Sequence, residues 1–98
     1  MPSIVWMPEA LADLMRHFDY LKPVNPKAAG QVAQAIREAG FGLVNFPYRG
    51  VALNDGSDRR KLRIPCGRVS YVMHYLIEDE TIVIIRVYYG REDRPICD

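Results

Sequence analysis

The amino-acid order predicts an α+β fold of two layers, on three observations. A short β-branched run opens the chain, two helical stripes introduced by proline follow, and three strand-like runs fill the second half. The resulting string is β-α-α-β-β-β. An N-terminal strand returns to the sheet after an antiparallel helical hairpin, and an antiparallel meander supplies the apolar face that the helices need.

Ser3 to Trp6 is too short for a helix, and Ile4, Val5 and Trp6 favour a strand ending at Met7-Pro8. Pro8 suits a first helical position, with Glu9 complementing the helix dipole. Leu11, Leu14, Met15, Phe18 and Leu21 then form one apolar stripe, which Pro23 stops near Lys22. Asn25-Pro26 is a second start, Asn as N-cap and Pro at the first turn. Ala28, Ala29, Val32, Ala35, Ile36, Ala39 and Leu43 carry its buried side. Gly40 and Gly42 weaken the last turns, so the helix is expected to end between Ala39 and Val44.

Phe46 to Gly50 reads as a turn and Asn54 to Asp58 as a loop. Arg60 to Pro65 alternates, with Lys61 and Arg63 on one face and Leu62 and Ile64 on the other. Val69 to Ile77 is a Tyr- and Val-rich strand. Glu78-Asp79-Glu80 makes an acidic hairpin tip before Thr81 to Tyr89. The near-continuous apolarity of that last run predicts a central strand covered on both faces.

At 98 residues the chain is one domain spanning 1–98, with 91–98 expected as a flexible polar tail. A hydrophobic fraction of 49% and a charged fraction of 26% exclude a disordered chain. The net charge of +1 advertises neither nucleic acid nor membrane in bulk. Residues 1–48 are neutral, however, whereas Arg59, Arg60, Lys61, Arg63 and Arg68 cluster within a stretch that holds no acid. No run of about 18 apolar residues is present, and the N-terminus lacks the basic start of a signal peptide. Cys66 and Cys97 are too few for a disulfide framework or a metal site, and they read as cytosolic thiols.

Nucleotide, P-loop, zinc-protease and CxxC motifs are all missing, so no cofactor or metal is expected. His17 falls on the polar side of the first helix and reads as a solvated surface residue. His74, within a strand, reads as structural. The basic segment is the signal that stands out. Arg86 breaks an otherwise apolar strand, on the face of Ile84 and Tyr88 by simple alternation, where an unpaired guanidinium would cost several kcal/mol. Arg91 and Arg94 follow it, and Tyr48, Tyr71, Tyr75, Tyr88 and Tyr89 supply aromatic faces. Cations among aromatics suit phosphates and bases. A solvated edge strand, where Lys and Arg deter aggregation, is the alternative.

The ordered set of stretches Val5-Trp6, Pro8 to Leu14, Asn25 to Ala29, Leu43 with Pro47 and Gly50, Arg60 to Ile64, Tyr71 with Tyr75, and Ile84 to Asp93 resembles the ParE/RelE superfamily of toxins. These are the toxins of bacterial type II toxin–antitoxin modules. The resemblance implies a helical hairpin on a small antiparallel sheet, a cytoplasmic location and a cognate antitoxin. The antitoxin would lay an amphipathic helix and an extended segment on the toxin, against Leu11, Leu14, Met15, Phe18 and Leu21.

Resemblance to the ParE branch, which looks closer, implies inhibition of DNA gyrase by binding, with Arg60, Lys61, Arg63, Arg86 and Arg91 facing the target. Resemblance to the RelE branch implies ribosome-dependent cleavage of messenger RNA, with Lys61, Arg63 and Arg91 as the working cations. That branch's third-strand arginine is Val72 here, and no aromatic follows Arg94. A third possibility is the same fold kept as a non-toxic binding or regulatory module.

Overall fold

The computed structural model describes residues 3–91, and their order of elements follows the expected string with one addition. Strand β1 is Ser3–Trp6, and helices α1 (Pro8–Leu21) and α2 (Pro26–Asn45) follow it. Strands β2 (Val51–Ala52), β3 (Arg60–Cys66), β4 (Val69–Glu78) and β5 (Thr81–Tyr89) complete the chain. The expected tail lies outside the described residues apart from Arg91.

The sheet order is β1-β5-β4-β3-β2, with β1 parallel to β5 and every other pairing antiparallel. Both helices pack on one face. Between them and the sheet lies a core built from Ala10, Val32, Ile36 and Leu43 above, and from Ile64, Tyr71, Met73, Tyr75, Ile82, Ile84 and Val87 below. Strand alternation explains this set, since Tyr71, Met73 and Tyr75 are every second residue of β4.

The helical hairpin begins and ends as its signals predict. Asn25 Oδ1 accepts the Ala28 N–H at 3.1 Å, satisfying one of the first-turn donors of α2. Helix α2 runs to Asn45, beyond the expected end. The reason is packing: a Cβ on Gly40 would stand 2.8 Å from Trp6 Cζ2, so this glycine is where the helix admits the indole. Ile36, Gly40 and Leu43, all buried, keep the stripe intact past that point.

Three expectations are corrected. Strand β2 has no counterpart among the expected strands, and its two residues are ordered by pairing Val51 with Lys61 and Ala52 with Arg60. Strand β5 is internal but is not covered on both faces, because both helices pack on the side of Ile82 and Ile84; Val83 and Ile85 are half-buried. His17 is buried at 5% exposure, not solvated, because its polar edge finds a partner on β5.

Candidate functional site

Strand β3 sorts its side chains as the alternation requires. Leu62 and Ile64 pack with the core, while Lys61 and Arg63 stand on the open face opposite the helices. Pairing with β4 sets Lys61 beside His74 and Arg63 beside Val72. Lys61, Arg63, Ser70, Val72 and Gly90 line one shallow hollow of about 280 Å³. Arg68, Ser70, Gly90 and Arg91 line a second, of about 250 Å³. Ser70 and Gly90 are common to both, so four cations surround one small patch of backbone. Gly90 makes that closeness possible: its N–H donates to Ser70 O at 2.8 Å, and a Cβ would come within 2.7 Å of Ser70 Oγ. An anion at this patch would meet positive charge on both sides.

Arg60 and Arg86, expected to face the target as well, are engaged elsewhere. Arg60 points back to the turn before β2, donating from Nε and Nη2 to Gly50 O at 3.0 and 2.6 Å, with its guanidinium over the Tyr48 ring at 5.3 Å. Arg86 donates from Nε to Asp13 Oδ2 at 2.7 Å and from Nη2 to Asp13 Oδ1 at 3.0 Å, the two-pronged geometry that suits a guanidinium and a carboxylate. A bulge shifts the β4–β5 register, so that His74 pairs with Arg86 but Tyr75 with Ile84. The extra residue, Ile85, breaks the alternation that would have put Arg86 on the face of Ile84.

Asp13 does more than hold Arg86. Strand β1 covers the edge of β5 only as far as Ile84, whose carbonyl accepts the Met7 N–H at 2.9 Å. Beyond that point α1 takes over. Asp13 Oδ2 accepts the Val87 N–H at 2.9 Å, and His17, one turn on, sits 2.8 Å from Val87 O through Nε2, which donates to that carbonyl. Burial pushes the Asp13 carboxyl up, but the Arg86 hydrogen bonds, the Val87 N–H and the Arg86 charge outweigh it, holding the group below its ordinary value. The same pair raises Arg86. The His17 ring also meets Tyr71 edge-on at 4.9 Å.

The apolar stripe of α1 is divided. Leu14 and Leu21 pack against the core, Phe18 is half-buried, and Leu11 and Met15 are 47% and 56% exposed. An apolar cleft of about 640 Å³ that no sequence signal announces lies beside this helix, and its walls include Tyr20, Leu21, Val32, Cys66, Val69 and Tyr71. Tyr48, one of the expected aromatic faces, is exposed, and so is the ring of Phe46, which no sequence signal marks. Among the described residues no group of His, Cys, Asp or Glu could hold a metal ion, and no helix is long and apolar enough to cross a membrane.

Comparison with known proteins places this geometry. The family model described as "ParE toxin of type II toxin-antitoxin system, parDE" matches residues 4–94. The chain belongs to the ParE/RelE superfamily of type II toxins. The toxin is 32% identical over 90 residues to "Toxin RelE2" of Caulobacter vibrioides, covering 92% of this chain and 97% of that one. It is 28% identical over 85 residues to "Toxin RelE1" of the same organism, covering 87% and 89%. In fold, the toxin resembles the chromosomal ParDE system of P. aeruginosa, with a TM-score of 0.74 at 23% identity, over 91% of this chain and 96% of that one. It also resembles the RelBE2 toxin–antitoxin complex of Mycobacterium tuberculosis, with a TM-score of 0.61 at 24% identity, over 91% and 99%.

Proposed function

We propose that the toxin acts in the cytoplasm as a ParE-like inhibitor, binding DNA gyrase without chemistry of its own. The observation that carries this reading is the make-up of the open-face hollow. Lys61 and Arg63 are joined there by aliphatic Val72, where the RelE branch has a third cation. Two cations and a valine can grip an anionic surface, but they leave a developing phosphorane charge without that third group. Arg68 and Arg91 extend the grip across Ser70 and Gly90. A cognate antitoxin neutralises the toxin by covering Leu11, Met15 and Phe18 on α1 with an apolar helix face.

The RelE-like alternative, ribosome-dependent cleavage of messenger RNA, is favoured by a different observation. His74, the one strand histidine, pairs with Lys61, and its ring meets Tyr88 edge-on at 5.1 Å, so an imidazole, a side chain that can accept or donate a proton, stands beside the cations. The names of the two Caulobacter relatives point the same way.

The two readings part in one experiment. The purified toxin is added to a gyrase supercoiling assay and, in parallel, to ribosomes programmed with messenger RNA. Loss of supercoiling with intact message is the expected outcome, and replacing Lys61, Arg63 and Arg91 by Gln removes it. Cleavage within the message with normal supercoiling overturns the gyrase reading and selects the other.

A further inference from the structure

The turn between α2 and β2 is held with unusual care for a segment whose side chains face water. From inside, the buried Tyr75 hydroxyl donates to Pro47 O at 2.7 Å and accepts the Gly50 N–H at 2.9 Å. A Cβ on Gly50 would strike both Lys61 O and that hydroxyl at 2.7 Å, so the chain closes here only through glycine. Arg60 clamps the turn from the strand side through Gly50 O and Tyr48 O, and Arg49 N–H closes it onto Phe46 O at 3.1 Å. What this rigid frame presents is Phe46 at 67% exposure and Tyr48 at 71%, around a hollow of about 650 Å³ that Arg49 also lines. One face of the Tyr48 ring rests against the Arg60 guanidinium, which fixes the plane of the other.

The charge around the turn identifies what would use it. Between Glu38 and Asp55 no acid occurs in the sequence. Arg49 bridges this hollow to a neighbouring one that it shares with Arg63 and Glu38, and Glu38 already accepts a hydrogen bond from Gln34 at 3.0 Å. Arg63 in turn lines the open-face hollow with Lys61. Two exposed rings on a fixed turn, one of them backed by Arg60, therefore lead into a run of cations along the β2–β3 edge. Stacking surfaces beside backbone-neutralising cations fit a single strand, whose bases are unpaired and whose phosphates follow the run. A duplex hides its base faces, and a peptide whose side chains are carboxylates offers the cations a partner but the rings nothing to stack on.

We propose that the Phe46–Arg49 turn is a base-stacking platform for single-stranded nucleic acid, whose backbone passes over Arg49 towards Arg63 and Lys61. The proposal holds for either target and does not rest on the choice between them.

The test is direct binding, read by fluorescence anisotropy with labelled 12-nucleotide oligouridine and oligothymidine. A duplex of equal length and a polyglutamate peptide serve as competitors. Wild-type toxin is expected to bind the single strands, and Phe46→Ala and Tyr48→Ala each to weaken binding about tenfold with the salt dependence unchanged. Tyr48→Phe keeps a ring and retains binding, whereas Tyr48→Leu keeps bulk and loses it. This contrast excludes misfolding as the cause. Arg49→Ala is expected to flatten the log–log salt slope by about 0.7. Wild-type affinity in both alanine variants overturns the proposal. So does a duplex or polyglutamate that competes as well as the single strand. Because binding is read without gyrase or ribosome, failure of either target assay leaves this result standing, and failure here leaves the target assays standing.

Discussion

At the scale of single residues, Asp13 decides more of this structure than any predicted contact residue. It is a buried carboxylate that holds the guanidinium of Arg86 and the N–H of Val87 together, joining α1 to β5 at a place where no strand continues the sheet. Removing one partner of such a pair leaves the other charge badly placed. Asp13→Asn is therefore expected to destabilise the fold by about 2 kcal/mol in urea unfolding at pH 7, part of the usual loss being spared because Arg86 reaches solvent. The pH dependence has a definite sign. The folded carboxyl titrates below its ordinary value of 3.8, so its contribution is fully present above that pH and is lost as the pH falls through the lowered value. The stability gap between wild type and Asp13→Asn should be constant from pH 7 to about pH 5 and should close below about pH 4. A gap that persisted at pH 2.5 would mean that packing, not charge, carries the effect.

At the scale of elements, the packing of β1 depends on a hole in α2. Trp6 lies against Gly40, and a Cβ there would be 2.8 Å from the indole and 3.3 Å from Ile4 Cδ1. In an exposed helix Gly→Ala stabilises by about 1 kcal/mol. Here the opposite is expected: Gly40→Ala should destabilise by about 1–3 kcal/mol, because the stiff indole must shift and carry β1 with it. Native-state hydrogen exchange of those amides that join β1 to the Thr81–Ile84 stretch of β5 reports that shift separately from global unfolding. Exchange unchanged at those amides would disprove the coupling. Gly30 offers a control, since nothing lies within 4 Å of a Cβ there, and Gly30→Ala should stabilise.

At the scale of the whole molecule, charge and apolar surface are divided among different sides. The acidic tip Glu78-Asp79-Glu80 closes one end of the β4–β5 hairpin. Gly67-Arg68 and Gly90-Arg91 lie at the other end of the same strands. A net charge of +1 therefore conceals a molecule with a basic end and open face, while α1 carries apolar side chains into solvent. If the antitoxin uses α1 and the target the cations, the two functions separate by mutation. Leu11→Glu with Met15→Glu is expected to weaken co-purification with the antitoxin about a hundredfold without lowering the melting temperature, since both side chains are already exposed. The Lys61, Arg63, Arg91 triple Gln variant is expected to do the reverse, losing action on the target and keeping the antitoxin. One variant abolishing both would show that the two partners share a surface.

The order of elements, the helix starts at Pro8 and at Asn25-Pro26, and the sorting of Lys61 and Arg63 from Leu62 and Ile64 were all legible in the amino-acid order. Each rests on local chemistry: a fixed proline φ, a capping side chain, and a strand period of two. His17, Asp13, Arg60 and Arg86 were not legible. Hydrophobic periodicity turns an Asp and a His outward, and only the uncovered edge of β5, some seventy residues away in the chain, gives them partners that make burial favourable. A one-residue bulge at Ile85 redirects Arg86, and the turn at Gly50 claims Arg60. The sequence by itself thus determined which segments are helix and strand and where positive charge is concentrated. The tertiary structure alone decided which of those cations face solvent and which are spent on the fold, because that depends on whichever unpaired backbone and carboxylate groups the packing of distant elements brings within hydrogen-bonding reach.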